Sequence, residues 1–497
     1  MDIEQRLDEI ILEKLEKNPE AKCIWWDGKW FSNKDVLDLI DKTTITLKSA
    51  GFSEGQRLSV LMPNCPMIIA LMVACWRLGG SFNPLNVKSG VPSLIGTLKL
   101  VDPFAVVVSD DIRKEAGPVL NSEGYTTIVS DLAGPLPSFE GKNVSVEDKS
   151  LAVIFATSGT TGLPKAVPLT HRNLAANALA FQEALSDFKK GDVVLNVLPN
   201  FHSFGFTVTI LVPILIEGAL AIVPGFLPPL RTLNAIVNAN VNILPIVPAM
   251  LTHLMTAIEK GAPRPEKIKL IITGGDKYNV ELDKKLKFVM GQGNLQGYGL
   301  TETSPILTVN RNYRNNKLGS VGQFVKYVEW QLRPSGNKIP PEGEGVLWVR
   351  GASVTDRYFR DEVMSAERFD KDGWFNTGDY VSVDKDGYVT ILDRVTDIII
   401  VGGFNVYPQE VERILNSHPA VENSIVVGMP HHNNGEVPKA FVLKKEGAQV
   451  TGVDIVRYSK EHLAHYKVPR KVEFVNDWPL SGAGKIMRRV LKERENN

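Results

Sequence analysis

Cysteine is scarce: the 497 residues contain three, Cys23, Cys65 and Cys75. The number is odd and no CxxC or metal-ligand spacing is present, which argues against a disulfide framework and fits a reducing cytoplasm. An excess of either charge is missing too. The 56 Lys and Arg are matched by 56 Asp and Glu, so no global field recruits nucleic acid or an anionic membrane. The opening stretch, MDIEQRLDEIILEKLEK, carries charge throughout and lacks an apolar h-region. It reads as an amphipathic helix, not a signal peptide, and the expectation is a cytoplasmic protein that is not exported. Internal repeats and low-complexity tracts are absent. One run approaches bilayer length, Phe204 to Pro224 (FGFTVTILVPILIEGALAIVP), but Pro213, Glu217 and Gly218 interrupt it and Ala219 to Val223 reads as a separate buried strand. No transmembrane segment is expected, which leaves peripheral membrane contact open.

The remaining composition, 43% hydrophobic and 23% charged, is ordinary for a globular chain. The length exceeds what one hydrophobic core supports, so at least two domains are expected. Apolar runs alternate with helical lengths: Leu58 to Met62, the buried helix Pro66 to Leu78, Phe104 to Val108 and Thr126 to Val129, then Val193 to Leu198, Ala219 to Val223, Val241 to Val247 and Ile268 to Ile272. Such alternation predicts α/β architecture with parallel sheet covered on both faces. From about 316 to 393 the texture changes to short runs punctuated by Gly and Pro, such as Tyr327 to Leu332 and Val346 to Val349, which predicts an antiparallel or barrel-like part. The last hundred residues, with runs at Ile398 to Val401, Ser424 to Val427, Ala440 to Leu443 and Val472 to Val475 and helices near Pro408 and from Val453 to Ala464, suffice for a compact α+β domain.

The most informative stretch is Leu151 to Leu174. An apolar strand, Leu151 to Ala156, runs into Thr157-Ser158-Gly159-Thr160-Thr161-Gly162-Leu163-Pro164-Lys165. Its glycines let backbone approach a ligand closely, while hydroxyls, N–H groups and one lysine suit anionic oxygens, so this is phosphate-binding chemistry. A Walker A loop is excluded by Pro164 and Ala166. Thr170 is a plausible N-cap for a helix carrying Leu174, Ala178, Phe181 and Leu185 on one face.

With this loop the chain resembles the adenylate-forming enzymes, which include acyl-CoA synthetases, luciferase and the adenylation domains of peptide synthetases. TSGTTGLPK looks like their ATP-phosphate loop, with Ala166 where glycine is usual. The resemblance runs along essentially the whole chain. It implies a large N-terminal domain (1–395) of two α/β subdomains plus the barrel-like part, and a small mobile α+β C-terminal domain (396–497) that rotates between half-reactions. It further implies ATP, Mg2+ and CoA as partners of a carboxylic acid substrate.

Gly297-Tyr298-Gly299-Leu300-Thr301-Glu302-Thr303 offers an aromatic face for adenine, a hydroxyl for phosphate and, in Glu302, a hard carboxylate for Mg2+. Gly274-Gly275-Asp276 ends a strand and resembles the segment flanking adenine. Asp379, after the turn at Gly378, resembles the acceptor of the ribose hydroxyls, and Arg394 the second ribose contact; in isolation these two would read as a surface turn and a surface ion pair. Pro199 to Phe206 (PNFHSFGF) surrounds one imidazole with aromatic and small residues. Alone, His202 would read as a core histidine; by resemblance it lies near the reacting carbonyl. Phe204, Phe206, Ile243, Val247 and Ile306 are the expected apolar lining for the acyl tail, since nothing charged is available there to hold an amino or sugar group. His202 also stands where amino-acid-activating relatives carry aspartate, which argues against an amino-acid substrate. Gly402-Gly403-Phe404 resembles the passage for the pantetheine thiol, and Lys485 the lysine that reaches the substrate carboxylate and the α-phosphate. Thr396 departs from the Asp or Lys usual at the hinge.

The implied reaction is ATP-dependent activation of a carboxylic acid, fatty in preference to others, to acyl-AMP, followed by transfer to CoA. Alternatives are an aryl acid–CoA ligase and transfer to acyl carrier protein, for which Lys467, Arg470, Lys471, Arg488 and Arg489 could supply a basic surface. A nucleotide-binding regulator without activity is a third, against which Glu302 and Lys485 both argue.

Overall fold

A computed structural model describes residues 2–142, 144–146, 148–158, 164–280, 282–333, 342–431, 435–479 and 486–493. The chain divides into two compact units, Met1–Trp330 with Val349–Phe375, and Gln331–Trp348 with Asn376–Asn497.

The first unit is built on two sheets. In the six-stranded sheet the order is Thr127–Val129, Ala105–Val108, Arg57–Leu61, Ser81–Pro84, Leu151–Ser158 and Pro164–Thr170. The central strands are parallel, and only the final pair is antiparallel. The helix Pro66–Arg77 is apolar all round because it is covered all round: every residue from Pro66 to Trp76 is buried. The nine-stranded sheet is parallel at its centre, through Leu295–Gly299, Leu270–Thr273, Ile243–Ile246, Val193–Asn196, Ala219–Ile222 and Lys22–Trp26. Antiparallel strands close its edges, Lys29–Ser32 on one side and Ile306–Val309 with Gln323–Phe324 on the other. One apolar core cluster runs from Leu7 and Ile11 of the N-terminal helix Leu7–Lys17 through Trp76 and Phe82 to Phe206 and Leu295.

The apolar run at 204–224 does not form one span. It becomes a helical turn Ser203–Phe206, a π-helical turn Thr207–Leu211, a further turn Val212–Leu215 and the buried strand Ala219–Ile222. Among the described residues no helix is long and apolar enough to cross a membrane.

A four-stranded sheet of Val328–Arg333, Gly343–Gly351, Phe375–Val383 and Val389–Arg394, paired in sequence order, lies in large part in the second unit. A turn at Val395–Asp397 follows. The rest of that unit pairs the hairpin Ile399–Val401 and Phe404–Val406 with the long antiparallel strands Val421–His431 and Gly435–Lys444, and adds Lys471–Val475 in parallel. Val411 and Leu415 of the helix Pro408–Asn416 and Ile455 of Gly452–His462 seal its core against Val426 and Ala440.

Candidate active site

The hairpin Leu151–Ser158 and Pro164–Thr170 sets Thr157 opposite Lys165. Gly159, Thr160, Thr161 and Gly162 lie outside the described residues, as does Lys485, and of Ser158 only the backbone is described. The hairpin leads straight into the helix His171–Ala184, whose N-cap Thr170 accepts from the Asn173 N–H while the Asn173 side chain returns the bond, so the direction of the hairpin's exit is pinned. Lys165 is half-buried. Burial, and next the Arg368 guanidinium, draw its ammonium below the ordinary lysine range against the opposing pull of Glu302, Asp361 and Glu367. Its Nζ lies 5.5 Å from the centre of the Tyr358 ring and 3.4 Å from Met364 Sδ.

Facing it is the turn that follows Leu295–Gly299. At Gly299 a Cβ would fall 1.8 Å from the Pro305 carbonyl oxygen, so only glycine lets the strand and the 305–306 backbone meet there. Thr301–Thr303 then forms one 3-10 turn, locked by the Thr303 hydroxyl donating to the Leu300 carbonyl and by the Leu300 N–H donating to it in return. Asn177 of the helix His171–Ala184 donates to the carbonyls of Thr303 and Ile306 and accepts from the Ile306 N–H. The turn therefore presents Thr301 and Glu302 from a frame tied at both ends. Tyr298 is half-buried near the end of its strand.

The segment 199–207 is stitched to the same turn. Ser203 Oγ lies 3.2 Å from Thr301 Oγ1, and the Thr207 hydroxyl donates to the Ser304 carbonyl at 2.9 Å. His202 caps the helical turn Ser203–Phe206 by accepting from the Phe204 N–H, and its ring is half-buried. A Cβ at Gly205 would fall 2.3 Å from the Pro199 carbonyl oxygen, so the turn closes only on glycine. Phe204 swings toward the glycine pair: its ring would be 3.5 Å from a Cβ on Gly274, which would also sit 3.3 Å from the Gly297 carbonyl, and Val247 would be 3.8 Å from a Cβ on Gly275. Phe204, Val247, Gly274, Gly275 and Gly297 thus lie together at the carboxyl ends of parallel strands, where α/β sheets bind ligands. Asp276, next in sequence, is exposed and accepts from the Lys277 N–H.

Two of the expected tail-lining residues are not brought to that place. Phe206 is fully enclosed in an aromatic cluster with Trp76, Phe82 and Phe155. Ile243 is likewise fully buried, at the start of its strand beside Val194 and Leu270, while Val247 follows the strand's far end, next to Gly275. Ile306 is 5% exposed, on the backbone that Asn177 holds.

In the second unit, Asp379 and Arg394 are cross-strand partners joined by an ion pair of 2.7 Å. Asp379 is 2% exposed, whereas half of Arg394's side chain remains accessible. Gly402 and Gly403, at φ of +56° and +89°, form the two-residue turn of their hairpin, a conformation that glycine adopts without strain. A Cβ on either would meet open space, so steric crowding within the fold is not what glycine avoids here. Phe404 is 59% exposed and stacks on Tyr466 with ring centres 4.9 Å apart. Of the basic residues considered for a carrier-protein surface, Lys467 is paired to Glu410 at 2.7 Å and Arg488 to the buried Glu412 at 2.6 Å.

Sequence reasoning missed Ser203, Asn177 and Tyr358. Tyr358 donates from its hydroxyl to Glu302 Oε1 at 2.7 Å. Nothing in its local pattern marks it; only the fold brings it beside Glu302. Among the described residues no group of three or more His, Cys, Asp or Glu side chains could hold a metal ion. The residues present do fit Mg2+ bound with a nucleotide, which needs one or two carboxylates and takes its other ligands from phosphate and water: Glu302 engages Tyr358 through one oxygen, and Oε2 accepts no hydrogen bond from the described residues.

Residues 11–359 match the family AMP-binding enzyme, and residues 410–485 match the AMP-binding enzyme C-terminal domain. The chain is similar to the long-chain-fatty-acid–CoA ligase of Bacillus subtilis (strain 168), at 29% identity covering 98% of this chain and 94% of that one. It is also similar to the feruloyl-CoA synthase of an Amycolatopsis species, at 31% identity covering 96% of each. Among solved structures, ATP-bound MatB from Rhodopseudomonas palustris superposes with a TM-score of 0.87 at 28% identity over 99% of both chains. A hairpin flanking the Gly/Thr-rich segment, a Thr-Glu turn bonded to a histidine-bearing segment, and both family matches in their proper order lead to one conclusion: the chain belongs to the AMP-binding enzyme family, the adenylate-forming enzymes.

Proposed function

We propose that the protein is an AMP-forming acid–CoA ligase whose acid carries an apolar, preferentially aliphatic tail. The observation that supports this reading is the junction of Ser203 with Thr301 and of Phe204 with Gly274, which brings the Thr-Glu turn close to apolar and glycine residues with no charged side chain among them.

In the first half-reaction the acid's carboxylate oxygen attacks the α-phosphorus of ATP. A new P–O bond forms, the bond to the β-phosphate oxygen breaks, and pyrophosphate leaves with the electron pair. In this reading Lys165 and the Thr301 hydroxyl bind phosphoryl oxygens as charge builds, where fixed donors in a partly buried site act most strongly. Glu302 would hold Mg2+, which when bound neutralises phosphate charge. His202, at the mouth of the turn that carries Phe204, orients the carboxylate, and Asp379 with Arg394 receives the ribose. In the second half-reaction the thiol sulfur of CoA attacks the activated carbonyl and AMP departs. By the same reading the part beyond residue 395 turns about the 393–397 segment between the two steps, exchanging Lys485 for the Gly402–Gly403 turn.

An aryl acid remains the second reading, favoured by the Phe204 ring as a stacking wall. A carrier-protein acceptor is disfavoured because Lys467 and Arg488 already spend their charge on Glu410 and Glu412. The deciding experiment measures pyrophosphate release with carboxylic acids from C2 to C18 and aromatic acids, with and without CoA. An aliphatic optimum with CoA-dependent turnover is expected; a sharp preference for aromatic acids, or turnover only with a carrier protein, overturns this assignment.

A further inference from the structure

We propose that Tyr358 is a positioning residue that couples the phosphate-loop lysine to the metal-binding carboxylate, so that the two are aligned before nucleotide arrives. The proposal rests on the ligase reading only in taking Glu302 as the Mg2+ ligand.

Tyr358 is 2% exposed, yet its two polar ends are both engaged: its N–H donates to the Ser365 hydroxyl at 2.9 Å, and its own hydroxyl donates to Glu302 Oε1 at 2.7 Å. Its ring packs edge-on against Phe369 at 6.0 Å and offers its face to Lys165 Nζ. A phenol is suited to this double duty because the ring face attracts a cation while the hydroxyl donates to an anion. Phenylalanine would keep the first contact and lose the second.

The backbone around Tyr358 is tied to the same two elements. The Phe359 N–H donates to the Ala166 carbonyl at 2.8 Å, next to Lys165. The Thr355 hydroxyl donates to the Pro168 carbonyl at 2.6 Å, and the Thr355 N–H donates to the Glu302 carbonyl at 2.9 Å. Residues 355–359 thus form a clamp bonded to the hairpin on one side and to the Thr-Glu turn on the other, with Tyr358 as its only side chain reaching both Lys165 and Glu302 among the described residues. A glutamate in solution loses rotamer freedom on binding a metal. One held through Oε1 has lost part of it already, with Oε2 left to the cation.

The test is a calorimetric titration of ATP at a series of Mg2+ concentrations, which needs no acid and no turnover. Tyr358→Phe is expected to raise the Mg2+ concentration that half-maximally tightens ATP binding by about tenfold, the scale of one lost hydrogen bond to a charged group, and to leave Mg2+-free ATP affinity within about twofold. Tyr358→Leu, which also removes the ring, is expected to weaken Mg2+-free ATP binding as well. In a Glu302→Gln background, Tyr358→Phe should add no further Mg2+ effect, since the two changes then act on one interaction. A merely structural role would lower the melting temperature and spare this split. A folded Tyr358→Phe protein whose Mg2+ half-point stays within about twofold of wild type overturns the proposal, as does an equal effect with and without Glu302. Failure of the ligase reading would appear elsewhere, as wild-type protein that binds ATP yet releases pyrophosphate with no acid.

Discussion

Val247 and Ile243 sit on one apolar strand and its continuation, and both carry branched aliphatic side chains, yet the fold gives them different work. Val247 borders the glycine pair, whereas Ile243 is sealed between neighbouring strands. Val247→Ala should therefore move the preferred acid by about tenfold in kcat/KM toward bulkier tails while costing little stability, because the missing methyls open space that a ligand can fill. Ile243→Ala should leave the acid profile alone and cost about 2 to 5 kcal/mol through a closed cavity. A panel of acids run beside thermal melts checks both, and an altered acid profile in Ile243→Ala would return that residue to the pocket. A second residue sets a pH response. His171 is buried under the N-terminal helix, accepting from the Leu7 N–H through Nδ1, and burial, helped by the Arg6 charge, pulls its imidazole down to about 3 from an ordinary 6.5. The unfolded chain takes up this proton as pH falls through 6.5 while the folded chain does not, so the contribution is complete above 6.5 and drains as pH falls toward 3. By pH 5 the loss should reach about 2 kcal/mol. The fall in Tm between pH 7 and pH 5 should be smaller for His171→Gln than for wild type, and equal falls would rule the histidine out as the cause.

The elements show where periodicity suffices and where it fails. Thr170 with the apolar face Leu174, Ala178 and Phe181 was readable as a capped helix because cap chemistry and 3.6-residue spacing are both local. The strand Pro164–Thr170 was not, since its two prolines suggest a loop; it can be a strand because it lies at the end of the six-stranded sheet, where the missing N–H of Pro168 costs no ladder bond to a further neighbour. Ile243 shows a related difficulty: apolar character marks a buried strand, as Ile243 is, without telling which end of the strand faces a ligand. The histidine segment depends on an equally invisible partner. Asn64, far away in sequence, donates to Asn196 Oδ1 and to the Leu198 carbonyl, each at 2.8 Å, and accepts from the Asn200 N–H at 2.9 Å. These buried amides fasten the base from which His202 and Phe204 project. Asn64→Leu should cost about 2 to 4 kcal/mol, since it strips several buried bonds at once, and should raise KM for the acid more than KM for ATP. A stability loss with both KM values unchanged would show that the network supports the fold without placing the segment.

At the scale of the molecule, the order of motifs along the chain was legible, but the assembly was not, because strands such as Lys22–Trp26 and Ala219–Ile222 pair across long stretches of sequence with no local sign of it. The proposed division of labour is testable at this scale. Lys485 and Gly403 belong to the same unit, and the proposal gives them opposite half-reactions. Lys485→Ala should abolish pyrophosphate release from ATP and acid, because a cation placed at the carboxylate and α-phosphate is needed only while the adenylate forms; transfer from supplied acyl-AMP to CoA should stay within about threefold of wild type. Gly403→Leu should do the reverse. The turn surroundings hold open space within 4 Å of a Cβ, so any steric effect must fall on something that passes along the turn, such as the pantetheine arm. The left-handed backbone at φ +89° adds a strain of about 1 to 2 kcal/mol for any branched residue. Gly403→Asn separates these two effects, since asparagine tolerates that backbone and still carries bulk: thioester formation should fall in both variants, but the melt should shift mainly for leucine. If Lys485→Ala and Gly403→Leu lose both half-reactions equally while melting cooperatively, the two residues serve one arrangement of the protein, and the alternation between half-reactions is wrong for this chain.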